Sequence, residues 1–215
     1  DIGGGKMDIC LYSDGALSHS SSIPIGAKHI TNDIAVGLRV SLESAEKIKL
    51  YLSKHLSHSQ EKTKKQLESI DLSSLKLPEN LSDVSLKTII DEIIGARIEE
   101  MYRMIGEEIE KSGFSDGVPS GLVISGGGAL TVGMVEMGRK IVGLPIRVGV
   151  PSRVSGLLDE VIDPQHAAVV GLILSTGKNI MELESGMKKF NKIFKDFSVG
   201  GSMVKIKDLI KQFIP

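Results

Sequence analysis

The chain has 215 residues, 41% of them hydrophobic and 25% charged, with a formal net charge of −1. That length can bury a substantial core, enough for one large domain or two small ones, and so even a charge balance gives no general argument for nucleic acid as a partner. A single cysteine, Cys10, excludes an internal disulfide, and its place in an apolar strand predicts a buried, inert thiol in a reducing compartment. No His/Cys cluster has zinc-ligand spacing, and there is neither a signal-peptide pattern nor an apolar run of about 18 residues.

The chain opens on Asp1-Ile2-Gly3-Gly4-Gly5-Lys6-Met7-Asp8-Ile9. Three glycines remove every Cβ from a tight turn, so backbone N–H groups can converge on an anion while Asp1 holds a metal-bound water beside it. Most glycine-rich turns are only turns, and this one lacks the Gly-Lys-Ser/Thr of a Walker loop opening a helix. A functional loop at the first residue, with no initiating methionine, predicts that an N-terminal part precedes Asp1.

Residues 8–12 predict a strand, Ser13-Asp14-Gly15-Ala16 a hairpin turn, and residues 16–25 a second strand. Ile30, Ile34 and Leu38 share one helical face, with Gly37 near the stop. Ser41 caps a further helix that carries Ala45, Ile48 and Leu52 on one side. Residues 54–83 are polar and predict a loop with at most short, edge-like strands. The strongest helix covers residues 85–111, where Leu86, Ile89, Ile90, Ile93, Ile94, Ile98, Met101, Ile105 and Ile109 recur at three and four until Gly113 ends it. A strand at 121–124, a helix over 132–141, a strand at 146–149 and a helix over 165–174 follow. Between the first two of these lies a second glycine turn, Ser125-Gly126-Gly127-Gly128-Ala129-Leu130. Two such turns at strand ends can clasp one ligand from two sides, which makes them a nucleotide-site candidate and no more.

The motifs are specific enough to carry a resemblance. Residues 1–9 are similar to the second phosphate motif of the actin, Hsp70 and sugar-kinase superfamily, and residues 122–130 to its adenosine motif. Ile23-Pro24-Ile25-Gly26-Ala27-Lys28-His29-Ile30-Thr31-Asn32-Asp33-Ile34-Ala35, Ala45-Glu46-Lys47-Ile48-Lys49, Val150-Pro151-Ser152-Arg153-Val154-Ser155-Gly156-Leu157 and residues 166–172 resemble the FtsA family of bacterial cell-division proteins. That resemblance implies an α/β fold: an actin-like (RNase H-like) lobe over residues 1–43 and 113–176, an inserted α+β subdomain over 44–112, a linker over 177–201 and an amphipathic helix over 202–215. It also implies ATP and magnesium as cofactors. Gly3, Gly4, Gly5 and Lys6 would offer backbone N–H groups to the phosphates, and Asp1 would position magnesium or the attacking water for a slow hydrolysis at most. Gly126, Gly127, Gly128 and Ala129 would lie along the adenosine, with Glu46 and Lys49 near ribose and base. From the residues alone, Glu46 and Lys49 are an exposed ion pair on a helix face. The family pattern has a glycine shortly after Lys49 where this chain has Leu50-Tyr51-Leu52-Ser53-Lys54, so the wall of the adenine pocket is expected to differ.

The family further implies two macromolecular contacts and self-assembly into filaments. Arg97 and Arg103, on the polar face of the long helix, would receive the carboxylates of the C-terminal peptide of the tubulin-like protein FtsZ; on general grounds that face is a solvated, salt-bridged one. Met203, Ile206, Leu209, Ile210, Phe213 and Ile214 fall on one side of a C-terminal helix. Residues 186–215 hold seven lysines against Asp196 and Asp208, a local charge of +5. Such a helix suits an anionic membrane surface, equally a terminal helix docked on its own domain, and the resemblance favours the membrane. The expected role is a scaffold tethering the FtsZ ring to the cytoplasmic face of the inner membrane at the division site. A pilus-assembly ATP-binding relative shares both glycine turns and is the alternative. An Hsp70-like or sugar-kinase-like enzyme would need a substrate domain or catalytic base, and no such element is visible.

Overall fold

The computed structural model describes residues 1–56, 71–79, 81, 85–114, 118, 120–152 and 162–176. Packing divides the chain into two units, Asp1–Ala168 and Val169–Pro215. Of the second, residues 169–176 are described and are helical. The expected linker at 177–201 and the amphipathic helix at 202–215 lie outside the described residues. Among those described, no helix is long and apolar enough to cross a membrane.

Strands β1 (Met7–Ser13) and β2 (Ala16–Ile23) form an antiparallel hairpin with Met7 opposite Ile23 and Tyr12 opposite Leu17. Asp14 and Gly15 both adopt positive φ at its tip, the requirement of a tight two-residue hairpin turn that Asp-Gly meets at low cost. Regular alternation turns Met7 and Leu11 inward and puts Cys10 on the opposite face, where it is exposed rather than buried as its apolar neighbours suggested. A register shift follows between Leu11 and Tyr12. The second strand ends at Ile23, two residues earlier than expected. A separate parallel pair joins β3 (Leu122–Ile124) to β4 (Ile146–Val148), and Ile2 makes an isolated antiparallel bridge to Met7.

Helices α1 (Ala27–Leu38) and α2 (Leu42–Leu56) pack together and bury Ile30, Ile34, Ala45, Ile48 and Leu52. The stop of α1 is Arg39 in the left-handed conformation; Gly37 instead admits the Ile93 side chain, whose Cδ1 would lie 2.7 Å from a Cβ there. Ser41 caps α2 as expected, its hydroxyl accepting from the Ser44 amide at 3.2 Å, and Glu79 braces the corner by accepting from Ser41 N and the Ser44 hydroxyl. Between α2 and the long helix the described residues include a 3-10 turn, Leu72–Leu75, with no strand.

The long apolar repeat forms one continuous helical rod of two geometries. Thr88–Ile94 is π-helical, with the Gly95 amide reaching back to Ile90 O, and α3 (Gly95–Lys111) continues it. The wider π turn lets Ile89, Ile90 and Ile94 all face the core, where a regular helix would rotate one of them outward. Helix α4 (Met134–Val142) crosses α3 closely, and residues from all four helices share one apolar cluster with Ile2, Met7, Ile124 and Ile146. The described residues of the stretch 44–112 thus contribute to the same core as the segments on either side of it.

The α3–α4 crossing depends on Gly138. A Cβ there would collide with the ring of Tyr102, standing 2.6 Å from Cε2. Tyr102 is fully buried, its hydroxyl has no hydrogen-bond partner among the described residues, and burial pushes its pKa up. Gly138→Ala is expected to lower stability by about 2 kcal/mol through this overpacking, measured by urea unfolding; an unchanged midpoint would show that the ring has room to move.

Candidate functional site

The two glycine turns meet through Ile2. Its amide donates to Ser125 O at 2.7 Å, and its carbonyl accepts from the Gly128 amide at 2.8 Å. Backbone can approach so closely only because Gly126 and Gly128 lack side chains. A Cβ on Gly126, whose φ is +84°, would lie 2.6 Å from Ile2 O and against the Asp1 carboxylate, and one on Gly128 would lie 2.8 Å from Ile2 O. Asp1 is thereby held beside the second turn. Gly127–Leu130 then forms a 3-10 turn that leads to Thr131 and Val132.

The first turn is anchored to α1. Gly3 O and Gly4 O accept the amides of Ala27 and Lys28 at 2.9 and 2.8 Å. These carbonyls satisfy donors that a helix N-terminus otherwise leaves unpaired. Gly26 lies hard against the turn: a Cβ there would stand 2.5 Å from Gly3 O and 2.7 Å from Gly4 O. Its own amide donates to Nδ1 of His29 at 3.1 Å, so His29 serves as a cap. Within the turn the Gly3 amide donates to Lys6 O at 2.9 Å. Gly3 is therefore not available as an anion donor in the way its sequence position suggested. Among the described residues the amides of Gly4, Gly5 and Lys6 have no backbone acceptor. The Lys6 ammonium turns to Asp8, 3.0 Å away.

Helix α2 supplies a charged wall. The Lys49 side chain is 7% exposed, and its ammonium donates to Glu46 Oε2 at 2.8 Å, Thr31 Oγ1 at 2.8 Å and Ala27 O at 3.2 Å. The Thr31 hydroxyl also donates to Glu46. This is a buried cation fully supplied with acceptors, not the solvated i, i+3 pair that the residues alone favoured. Partial burial pushes the Glu46 carboxyl up, but the Lys49 and Thr31 hydrogen bonds outweigh it and hold the group below its ordinary value.

These elements line a cavity of about 300 Å³, formed by Gly4, Ala27, Lys28, Glu46, Lys49, Leu50, Ser53, Gly127, Gly128, Leu130, Thr131 and Gln165. Five of the expected residues, Gly4, Glu46, Lys49, Gly127 and Gly128, therefore share one space. Asp1, Gly3, Gly5, Lys6, Gly126 and Ala129 lie in the turns but do not line it. Sequence reasoning missed Lys28, whose aliphatic stem packs over Gly4, and Thr31, Ser53 and Gln165. Lys28 and Thr31 lie on the first turns of a helix anchored to the glycine turn, which was a usable signal; Gln165 had none. Among the described residues no group of three His, Cys, Asp or Glu could hold a metal. Asp1 is a lone carboxylate, which fits a magnesium ion that takes its remaining ligands from water and phosphate.

Arg97 and Arg103 differ. Arg97 makes a two-point pair with Asp33 of α1, Nε to Oδ2 at 2.6 Å and Nη2 to Oδ1 at 2.9 Å, and also pairs with Glu100. Its guanidinium is paired within the chain, and the Asp33 hydrogen bonds hold it more firmly protonated. Arg103 pairs with Glu99 one turn earlier but is 70% exposed.

The family profile described as "Cell division protein FtsA" matches residues 1–171. The chain belongs to the FtsA family. Cell division protein FtsA of Pseudomonas aeruginosa is 36% identical over 176 residues, 81% of this chain and 40% of that protein. The chain spans less than half the length of the first curated relatives it matches. Among solved structures, MreB 5 of Spiroplasma citri bound to AMPPNP superposes with a TM-score of 0.59 at 19% identity, covering 86% of this chain and 54% of that one. A PilM–PilN type IV pilus biogenesis complex gives 0.52 at 16%, covering 79% and 43%. At such identities these likenesses show the actin-like α/β fold.

Glu46 gives the site a pH dependence. Because its folded carboxyl titrates below the ordinary 4.5, its pairing with Lys49 contributes in full above that value and is lost as the pH falls through the lower folded one. Glu46→Gln is expected to be less stable than wild type at pH 7 and to converge with it as the pH falls below the ordinary carboxylate value, read from thermal unfolding across an acid series. Parallel curves would mean that the pair contributes nothing.

Proposed function

We propose that this chain is the nucleotide-holding part of an actin-like division scaffold of the FtsA type, with ATP as the ligand. The observation that carries the reading is the meeting of two glycine turns, joined through Ile2, at one cavity whose walls also carry Lys28, Glu46 and Lys49. A volume of about 300 Å³ is at the lower end for small-molecule sites. The amides of Gly4, Gly5 and Lys6 with the Lys28 ammonium suit the phosphates, and Asp1 suits magnesium. The glycine faces of Gly127 and Gly128 suit the flat base, and Glu46 suits ribose hydroxyls. The AMPPNP in the MreB 5 structure supports a nucleotide in this fold. Among the described residues no side chain at the cavity is assigned as a general base, so turnover would be slow and the nucleotide would act as a switch or a stabiliser of self-association.

In this scaffold the exposed Arg103 on α3 contributes to a surface for the acidic C-terminal peptide of FtsZ, and the lysine-rich residues 202–215 lie on the anionic inner face of the membrane at the division site. A pilus-assembly role has the same fold behind it, but the family match over residues 1–171 favours division.

Two experiments test this. Calorimetric titration is expected to show ATP binding, and Lys28→Gln is expected to weaken ATP by about tenfold while leaving adenosine unchanged, since only the phosphates meet that cation. Absence of ATP binding by the wild type removes the nucleotide reading. In vesicle sedimentation with anionic lipid, the whole chain is expected to recruit FtsZ, deletion of residues 202–215 to abolish lipid binding, and Arg103→Glu to lose FtsZ while keeping lipid. A deleted chain that still pellets sinks the membrane arm.

A further inference from the structure

We infer that Ser53 is a positioning residue for the cleft: its hydroxyl fastens the exit of the second glycine turn to helix α2. The inference rests on the nucleotide reading of the cavity and goes beyond it to say how the two walls are kept in register.

Ser53 is 9% exposed and lines the cavity. Its hydroxyl donates to Lys49 O, one turn earlier in the same helix, at 2.7 Å. A serine hydroxyl has one proton and two lone pairs, so this back-bond fixes where the lone pairs point. One of them receives the Val132 amide at 3.1 Å. Val132 is 1% exposed and sits between the 3-10 turn Gly127–Leu130 and helix α4, where neither element offers it a backbone acceptor. The serine oxygen is thus the partner of a buried donor that would otherwise be orphaned, the situation in which deleting one hydroxyl costs most.

The bond joins the two halves of the site. Helix α2 carries Glu46, Lys49 and Leu50 on one part of the cavity wall, and the segment after Gly126 carries Gly127, Gly128, Leu130 and Thr131 on another. Among the described residues this is the hydrogen bond that links α2 to that segment. The carbonyl that receives the Ser53 proton belongs to Lys49, so the brace runs from the charged wall to the glycine wall through one side chain.

The test uses the whole chain and three variants, with ATP affinity by calorimetry and amide exchange at Val132 by NMR. Ser53→Ala removes the acceptor, Ser53→Cys keeps the size with a poor one, and Ser53→Thr keeps the hydroxyl. Alanine and cysteine are expected to speed exchange at Val132 and to weaken ATP by about tenfold, while threonine follows wild type. Cysteine against threonine decides the matter if the alanine variant does not fold. ATP affinity in Ser53→Cys within about two-fold of a wild type that binds ATP overturns the role of Ser53 alone. A wild type that binds no ATP overturns the nucleotide reading and this inference with it.

Discussion

Everything in the site depends on the placement of one residue's backbone. Ile2 donates to Ser125 and accepts from Gly128, and it bridges to Met7 on its other side. It is therefore the seam between the hairpin and the parallel pair, and its side chain is buried in the common core. That seam explains the glycines better than conformational freedom alone does. Gly126 and Gly128 are needed because a second strand of backbone passes within van der Waals distance of their α-carbons, and Gly26 because the first turn rests directly on it. Substituting any of the three pushes two chain segments apart and does not merely strain a turn.

The second constraint is a charge placed where water is scarce. A buried ammonium without acceptors is far too costly to keep, so Lys49 commits Glu46, Thr31 and a carbonyl from the first turn of α1. This ties α2 to α1. Because α1 is itself fastened to the first glycine turn through Gly3 O and Gly4 O, the polar network and the glycine turn form one continuous hydrogen-bonded assembly. Ser53 extends it to the second turn. An actin-like cleft built this way keeps its donors in place before any ligand arrives, which is how a site achieves affinity without a large ordering cost. The outer face of the rod is handled differently. Arg103 and Lys111 each meet a carboxylate on the same helix as exposed pairs, which contribute little to stability, whereas the Arg97–Asp33 pair to α1 is half-buried.

Much of this was legible in the residues. Hairpin, helices and the short parallel strands follow from periodicity and turn chemistry, and Asp-Gly, Ser41 and Gly113 mark ends where the structure has them. What local pattern missed has identifiable causes. Cys10 looked buried because its neighbours are apolar, but strand alternation puts it on the face opposite Met7 and Leu11, which is exposed. Gly37 looked like a helix stop, yet it is the socket for Ile93 from a segment more than fifty residues away. The isoleucines at 89, 90 and 94 looked like one regular helix, whereas burying all three takes a π turn.

The sequence by itself determined the elements, the two glycine turns and membership of the FtsA family, because each depends on residues near one another along the chain. Only the tertiary structure decided which donors are free and which are committed. Whether the Gly3 amide, the Lys6 and Arg97 side chains or the Lys49 ammonium can meet a ligand depends on Lys6 O, Asp8, Asp33 and Thr31. Hydrogen-bond capacity is a property of the residue, but its use is settled by whichever partner the fold brings within about 3 Å. The same reason hid Ser53, whose only remarkable feature is a buried amide 79 residues further on.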